Sequence, residues 1–239
     1  SWAVDMLERH RPWGVVNAIG YEDVDAAEGD IDVCWRENAS GPIDLAMACA
    51  ERGLPFMTFS DGMVFDGEKV EPYVESDPVC PINVYGQARA SAERAILREC
   101  PEALVIRSGL VFGPQRERLV ELLRTKSANQ EMVSLAYLPH LVEASLDLML
   151  DGMTGVVHLA NAGSVAWNDF AREIADVVGL DAERIGDRAM PEARAPRPKN
   201  ASLRSERAWT MPTLEDAIER LRWQLPREAS GVETAPYLS

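Results

Sequence analysis

Short apolar runs alternate with longer amphipathic ones along most of the chain. Trp2–Arg11 sets Val4, Met6 and Leu7 among polar residues and predicts a helix, which Pro12 ends. Gly14–Ile19 (GVVNAI) is short, β-branched and apolar, the pattern of a buried parallel strand. Val24–Glu37 predicts partial helix. Pro42–Arg52 predicts a helix with Pro near its start and Gly53 just past its end. Pro55–Phe59 is the next strand, Gly86–Glu99 a helix by propensity, and Ala103–Arg107 (ALVIR) another buried strand. Arg116–Lys126 and His140–Leu150 predict helices, Gly155–Leu159 (GVVHL) a strand, Trp167–Val178 a helix closed by Gly179, and Thr213–Trp223 the last helix.

This alternation, joined by right-handed crossovers, implies an α/β fold: a doubly wound parallel sheet with helices on both faces. Ligands of such sheets sit at the carboxyl ends of the strands. The segments after Ile19, Phe59, Arg107 and Leu159 are therefore the candidate site. Residues 1–114 are expected to form the main sheet domain. Residues 115–225, less regular and rich in Pro and Arg, are expected to form a smaller lobe over the strand ends. From that stretch, His140–Leu150 and Gly155–Leu159 are expected to return to the main sheet, and 226–239 reads as a tail.

Composition narrows the partners. The 239 residues are 46% hydrophobic and 26% charged, an ordinary globular balance. A net charge of −15 argues against nucleic acid or an anionic membrane, both of which need a basic surface. No apolar run has the length of a membrane span. Cys34, Cys49, Cys80 and Cys100 show neither C-x-x-C pairing nor metal spacing, and His10, His140 and His158 are scattered. The expectation is reduced thiols, a cytoplasmic protein and no metal. The chain opens at Ser1 inside a predicted helix, which reads as a piece of a longer polypeptide or the product of a gene lacking its 5′ part.

Chemistry concentrates in two segments, Ser60–Gly67 (SDGMVFDG) and Tyr85–Arg89 (YGQAR). Tyr85 and Arg89 lie one helical turn apart and share a face. A cation beside a phenol favours phenolate and eases proton exchange at that oxygen, as carbonyl reduction by hydride requires. Asn17, Ala18 and Gly20 lie at or just past a strand end, where backbone could approach a cofactor. Arg107 ends a strand on the ligand side, in either a buried ion pair or a phosphate contact. Arg197, with Arg194 and Lys199, forms the clearest basic cluster in an acidic chain.

Four stretches carry a resemblance. Val15–Tyr21 (VVNAIGY) followed by Glu22–Glu28 (EDVDAAE) is similar to a strand ending N-A-A and then V-D-x-A-E. Ser60–Gly67 resembles S-T-D-Y-V-F-D-G. Pro72-Tyr73-x-Glu75 and Pro81-x-Asn83-Val84-Tyr85-Gly86 resemble P-Y-x-E and P-x-N-x-Y-G. Arg197–Leu203 resembles R-P-x-N-S-x-L. Together they resemble the dTDP-4-dehydrorhamnose reductase family, within the extended short-chain dehydrogenase/reductase superfamily. The resemblance implies a Rossmann-like sheet with its amino-terminal strands missing, and an NADPH or NADH cofactor. It implies a nucleotide-linked 4-keto sugar as substrate. It makes Tyr85 the proton donor, Arg89 the ribose and phenol contact, Ser60 and Asp61 the carbonyl side, and Arg107 and Arg197 the diphosphate side.

Three departures change what is expected. No G-x-x-G-x-x-G occurs; by position, roughly 50 residues would precede Ser1, judged by the size of a βαβ unit. The family's Lys falls on Arg89, which keeps the charge but is planar and never deprotonated. Its Ser/Thr falls on Asp61, a carboxylate that repels the oxyanion it should stabilise. The expectation is a reductase impaired in this chain. The alternative is an inactive regulatory or interaction domain, possibly fused to a glycoside hydrolase. If the preceding strands are absent, Gly14–Ile19 becomes an open apolar edge, and pairing with a second copy or a partner domain follows.

Overall fold

The computed structural model describes residues 2–125, 132–181, 194–207 and 210–225. The chain begins with α1 (Trp2–His10), β1 (Val15–Asn17), α2 (Val24–Ala27) and α3 (Ile31–Trp35). A π-helical turn, Arg36–Ser40, leads into α4 (Gly41–Ala50) and β2 (Phe56–Asp61). After the 3-10 turn Gly62–Val64 come α5 (Val84–Glu99), β3 (Leu104–Ser108), β4 (Leu110–Phe112) and α6 (Arg116–Thr125). Then follow β5 (Met132–Tyr137), α7 (Leu138–Leu150), β6 (Gly155–Leu159), β7 (Asn161–Ala162), β8 (Ser164–Ala166) and α8 (Trp167–Val178). The chain closes with β9 (Asn200–Ala201), β10 (Met211–Thr213) and α9 (Leu214–Gln224). No described helix is long and apolar enough to cross a membrane.

The main sheet is parallel, in the order β1-β2-β3-β6. Alternation along each strand sends side chains to opposite faces. Phe56 and Val105 pack with Leu7 of α1, Cys34 of α3, Ala46 and Cys49 of α4, and Ala88, Ala92 and Ile96 of α5. On the other face Met57, Leu104, Ile106 and Val157 meet Leu141, Ala144 and Leu148 of α7. Both faces of β2, β3 and β6 are thus covered, which is why these strands read as nearly unbroken apolar runs; β1, expected as buried, lies at the sheet edge with Val16 and Ile19 exposed.

A small mixed sheet begins at β4 and continues through the region past 114 that was read from pattern as irregular. β4 pairs parallel with β5, β5 antiparallel with β8, and β9 parallel with β5. Apart from β5 its strands are two or three residues long, too short for the pattern reading to separate from loop. Phe112, Leu119, Tyr137, Phe170, Ile174 and Leu221 form its core. Of the expected elements, Lys126 and the tail 226–239 lie outside the described residues.

One charged group is built into the helix–sheet interface. Arg107, on the β3 face under α5, donates from Nη2 to Glu93 Oε2 at 2.6 Å and from Nε to Glu93 Oε1 at 3.0 Å. Both side chains are buried. The guanidinium also lies over the Phe65 ring, and its Nη1 is 3.3 Å from His158 Nε2. His158 Nδ1 faces the carbonyl oxygens of Tyr73 and Arg204, both at 3.2 Å, so it carries the ring proton and leaves Nε2 to accept from Arg107. Glu93→Ala is expected to cost about 3–5 kcal/mol, because it strands a buried cation, while Glu93→Ala with Arg107→Met recovers most of that loss. Urea unfolding of the single and double variants checks this.

Candidate active site

The site grows from the carboxyl end of β2. Asp61 is in extended conformation and caps the following turn, its Oδ1 accepting from Met63 N at 2.8 Å. Gly86, in the first turn of α5, lies against that turn: a Cβ there would be 2.1 Å from Met63 O. Only glycine allows this approach, and the approach sets Tyr85 beside Asp61. Asn83 caps α5 by accepting from Gly86 N at 2.7 Å, and its Nδ2 donates to Pro196 O at 2.9 Å.

Tyr85 and Arg89 do meet, with a third member. Tyr85 Oη donates to Asp61 Oδ2 at 2.6 Å. Arg89 Nε donates to Tyr85 Oη at 3.3 Å and Nη1 to Phe59 O at 2.9 Å. The guanidinium carbon is 5.3 Å from the Tyr85 ring centroid. From the sequence, a cation beside the phenol favoured phenolate; the geometry reverses that. Burial and the Asp61 carboxylate push the Tyr85 phenol well above its usual value, and Arg89 offsets them only in part. Burial disfavours the Arg89 cation, but Tyr85 and Asp61 outweigh it and raise its pKa. Ser60 does not reach the phenol. Its hydroxyl is buried and makes no hydrogen bond to any described group.

At the end of β1, Asn17 Nδ2 donates to Thr58 Oγ1 at 3.0 Å, Ala18 is exposed, and Gly20 abuts Arg89. A residue the sequence reading passed over fixes this loop. Asn38, buried in the π-helical turn, accepts from Tyr21 N at 2.9 Å and donates to Tyr21 O at 3.0 Å. Its one sequence signal was an amide among small residues before a helix start; a π-turn has no readable period. The exposed backbone after β1 and the cation behind it fit the ribose and nicotinamide end of a dinucleotide. The described residues include no glycine-rich pyrophosphate cradle.

The two arginines expected against a substrate diphosphate are otherwise engaged. Arg107 is the buried partner of Glu93, the ion-pair alternative, and is shut off from solvent. Arg197 forms a two-pronged pair with Asp25, Nη1 to Oδ1 and Nη2 to Oδ2, both at 2.9 Å. It belongs to a strap over the strand ends. Asn200 Nδ2 donates to Lys69 O and Val70 O, and Ser202 Oγ donates to Asn200 Oδ1. Glu75 accepts from Ser205 Oγ at 2.6 Å and from the amides of Glu206 and His158. Residues that stood out as motifs are thus the strap's fasteners. Beneath it, a Cβ at Gly62 would be 2.6 Å from Ala201 O, so the glycine there admits the strap backbone.

Two outcomes follow. A Cβ at Gly20 would meet Asn38 Oδ1 at 2.5 Å and Arg89 Nη2 at 2.8 Å, so Gly20→Ala is expected to displace both and lower stability by about 1–3 kcal/mol, read by denaturant melts. The Arg197 hydrogen bonds hold the Asp25 carboxyl below its usual value, against the opposing pull of burial. A depressed carboxyl stabilises the fold above its unfolded pKa and loses that contribution as pH falls through the folded value. Arg197→Ala is therefore expected to lower the melting temperature at neutral pH. The gap to the parent should close as pH drops below the ordinary Asp range.

Known proteins agree with this architecture. The family described as RmlD substrate binding domain matches residues 2–225. A dTDP-4-dehydrorhamnose reductase of Mycobacterium tuberculosis is 34% identical over 82% of this chain and 70% of its own length. A probable low-salt glycan biosynthesis reductase of Haloferax volcanii is 29% identical over 91% of this chain and 79% of its own. The crystal structure of dTDP-4-dehydrorhamnose reductase from Bacillus anthracis in complex with NADP shares the fold at a TM-score of 0.79. It is 23% identical, with 92% of this chain and 83% of that one covered. With a family match over nearly its whole length and a strand-end Tyr–Arg pair on a parallel sheet, the chain belongs to the RmlD substrate binding domain family, that of the dTDP-4-dehydrorhamnose reductases.

Proposed function

We propose that this chain acts as an NADPH- or NADH-dependent reductase of a nucleotide-linked 4-keto sugar, with turnover held down by Asp61. The observation that carries the reading is the Tyr85–Arg89 pair at the carboxyl ends of parallel strands, in a chain of this family. A reduced nicotinamide supplies the hydride when bound. Tyr85 supplies the proton to the carbonyl oxygen, and Arg89 holds the phenol and faces the ribose. Asn17, Ala18 and Gly20 line the cofactor side, and Ser60 supports the strand end. The nucleotide diphosphate finds its cations elsewhere than Arg107, and meets Arg197 only if the Asp25 pair opens.

Asp61 works against this chemistry. It takes the hydrogen bond that Tyr85 would give the carbonyl, and it sets a negative charge where negative charge develops. The same observation supports the second reading, a catalytically silent domain that binds a partner. Pairing along the outer edge of β1, with another copy or a partner domain, belongs to that reading.

Turnover of a dTDP-4-keto-6-deoxy sugar, followed by loss of reduced-nicotinamide absorbance, separates the two. Slow turnover is expected for the parent. Tyr85→Phe should lower it about 100-fold or more, and Asp61→Thr should raise it about tenfold or more. No turnover by the parent, by Asp61→Thr, or by Asp61→Thr with Arg89→Lys contradicts the reductase and leaves the silent domain.

A further inference from the structure

The carboxylate at position 61 sits where the family resemblance puts a neutral hydroxyl, and both its oxygens are engaged. Oδ1 is fixed by Met63 N, and Oδ2 accepts the Tyr85 proton at 2.6 Å. Arg89 Nε donates to the same phenolic oxygen from the other side. With one proton between Asp61 and Tyr85, the Tyr85 O–H points into the carboxylate, and a carbonyl brought to Tyr85 finds no proton directed at it. The Ser60 hydroxyl is buried without a hydrogen bond to the described groups, so it does not relieve the pair. Among the described residues, Asp61 and Arg89 act on Tyr85 electrostatically, and Cys34 on α3 acts on Arg89. The strap presents backbone, Ala201 O against Gly62.

We propose that Asp61 is the second proton-holding group of this site, and that carbonyl reduction proceeds from the form in which Asp61 and Tyr85 each carry a proton. The proposal rests on the reductase reading. In that form Asp61 O–H donates to Tyr85 Oη, and the Tyr85 O–H is released toward the substrate. The hydride of the nicotinamide co-reactant forms the new C–H bond, and the carbonyl π pair moves onto oxygen. That oxygen takes the Tyr85 proton, Tyr85 takes the Asp61 proton, and Asp61 is left a carboxylate that water reprotonates. The sum is ketone, hydride and one proton going to alcohol. In reverse, the alcohol proton passes to Tyr85 and the Tyr85 proton to the Asp61 carboxylate. The singly protonated pair is therefore set for alcohol oxidation. The residue that slows reduction at neutral pH makes the site a base in the other direction.

The test needs neither cofactor nor substrate. The full polypeptide is labelled with carbon-13 at the tyrosine ζ position and titrated from neutral pH into acid, with amide spectra confirming the fold at each point. Tyr85→Phe assigns the resonance. The expected result is a Tyr85 shift on acidification that Asp61→Asn abolishes; Asp61→Thr serves if the Asn variant does not fold. Reductive kcat should rise on acidification in the parent and stay flat in Asp61→Thr. A Tyr85 resonance that does not move, or a shift that survives both substitutions, overturns the relay whether or not the protein turns over. A clear shift without turnover at any pH removes the reductase reading, and with it the relay's reductive role.

Discussion

One face of α5, pressed onto β2 and β3, carries both the fold and the site. Tyr85, Arg89 and Glu93 follow one another at one-turn spacing, so all three point at the sheet. Each finds a polar partner there: Asp61 at the end of β2, the Phe59 carbonyl within it, and Arg107 on β3. Ala88, Ala92 and Gly86 beside them are small enough to let the helix come close. A buried row of charges is tolerable only when each member is paired. A shift of α5 along the strands would break the row at three points and leave charges without partners in a low-dielectric interface. The position of the Tyr85 hydroxyl is thus fixed by the same interface that supplies much of the apolar burial.

The strap from 195 to 206 is the second constraint. Its fasteners are side chains that bind backbone: Asn200 to Lys69 and Val70, Asn83 to Pro196, Glu75 to Glu206 and His158. Arg197 and Asp25 close its upper end over the loop after β1. The apolar clusters around Phe56 and around Phe112 are separate, and the strap spans from one side to the other.

The main sheet was legible because β2, β3 and β6 are buried on both faces and Pro or Gly residues bound the helices packed on them. β2, β3, β6, α7 and α8 lie within a few residues of where apolar runs, Pro and Gly place them. The small sheet was not, since β8 and β9 are too brief to show a period and exist through their pairing with β5. At the site, the Tyr85–Arg89 proximity follows from helical spacing alone. The Asp61 bond that reverses its electrostatic effect depends on a turn geometry the pattern did not encode. For Arg107 the ion-pair reading was open from the start, and a signal to choose it existed: Glu93, two turns beyond Tyr85, is an acid on a helix face that must be buried. Arg197 looked like part of a free basic cluster because its partner, Asp25, is distant in sequence.

In the proposed reading a dinucleotide sits over Arg89 and the backbone after β1. Titration calorimetry of NADPH and NADH against the full polypeptide, beside its Arg89→Ala variant, tests that most directly. Saturable binding weakened about tenfold or more in the variant is the predicted result, the loss expected on removing a hydrogen-bonding cation. Binding of equal strength in both proteins, or none in either, would contradict it.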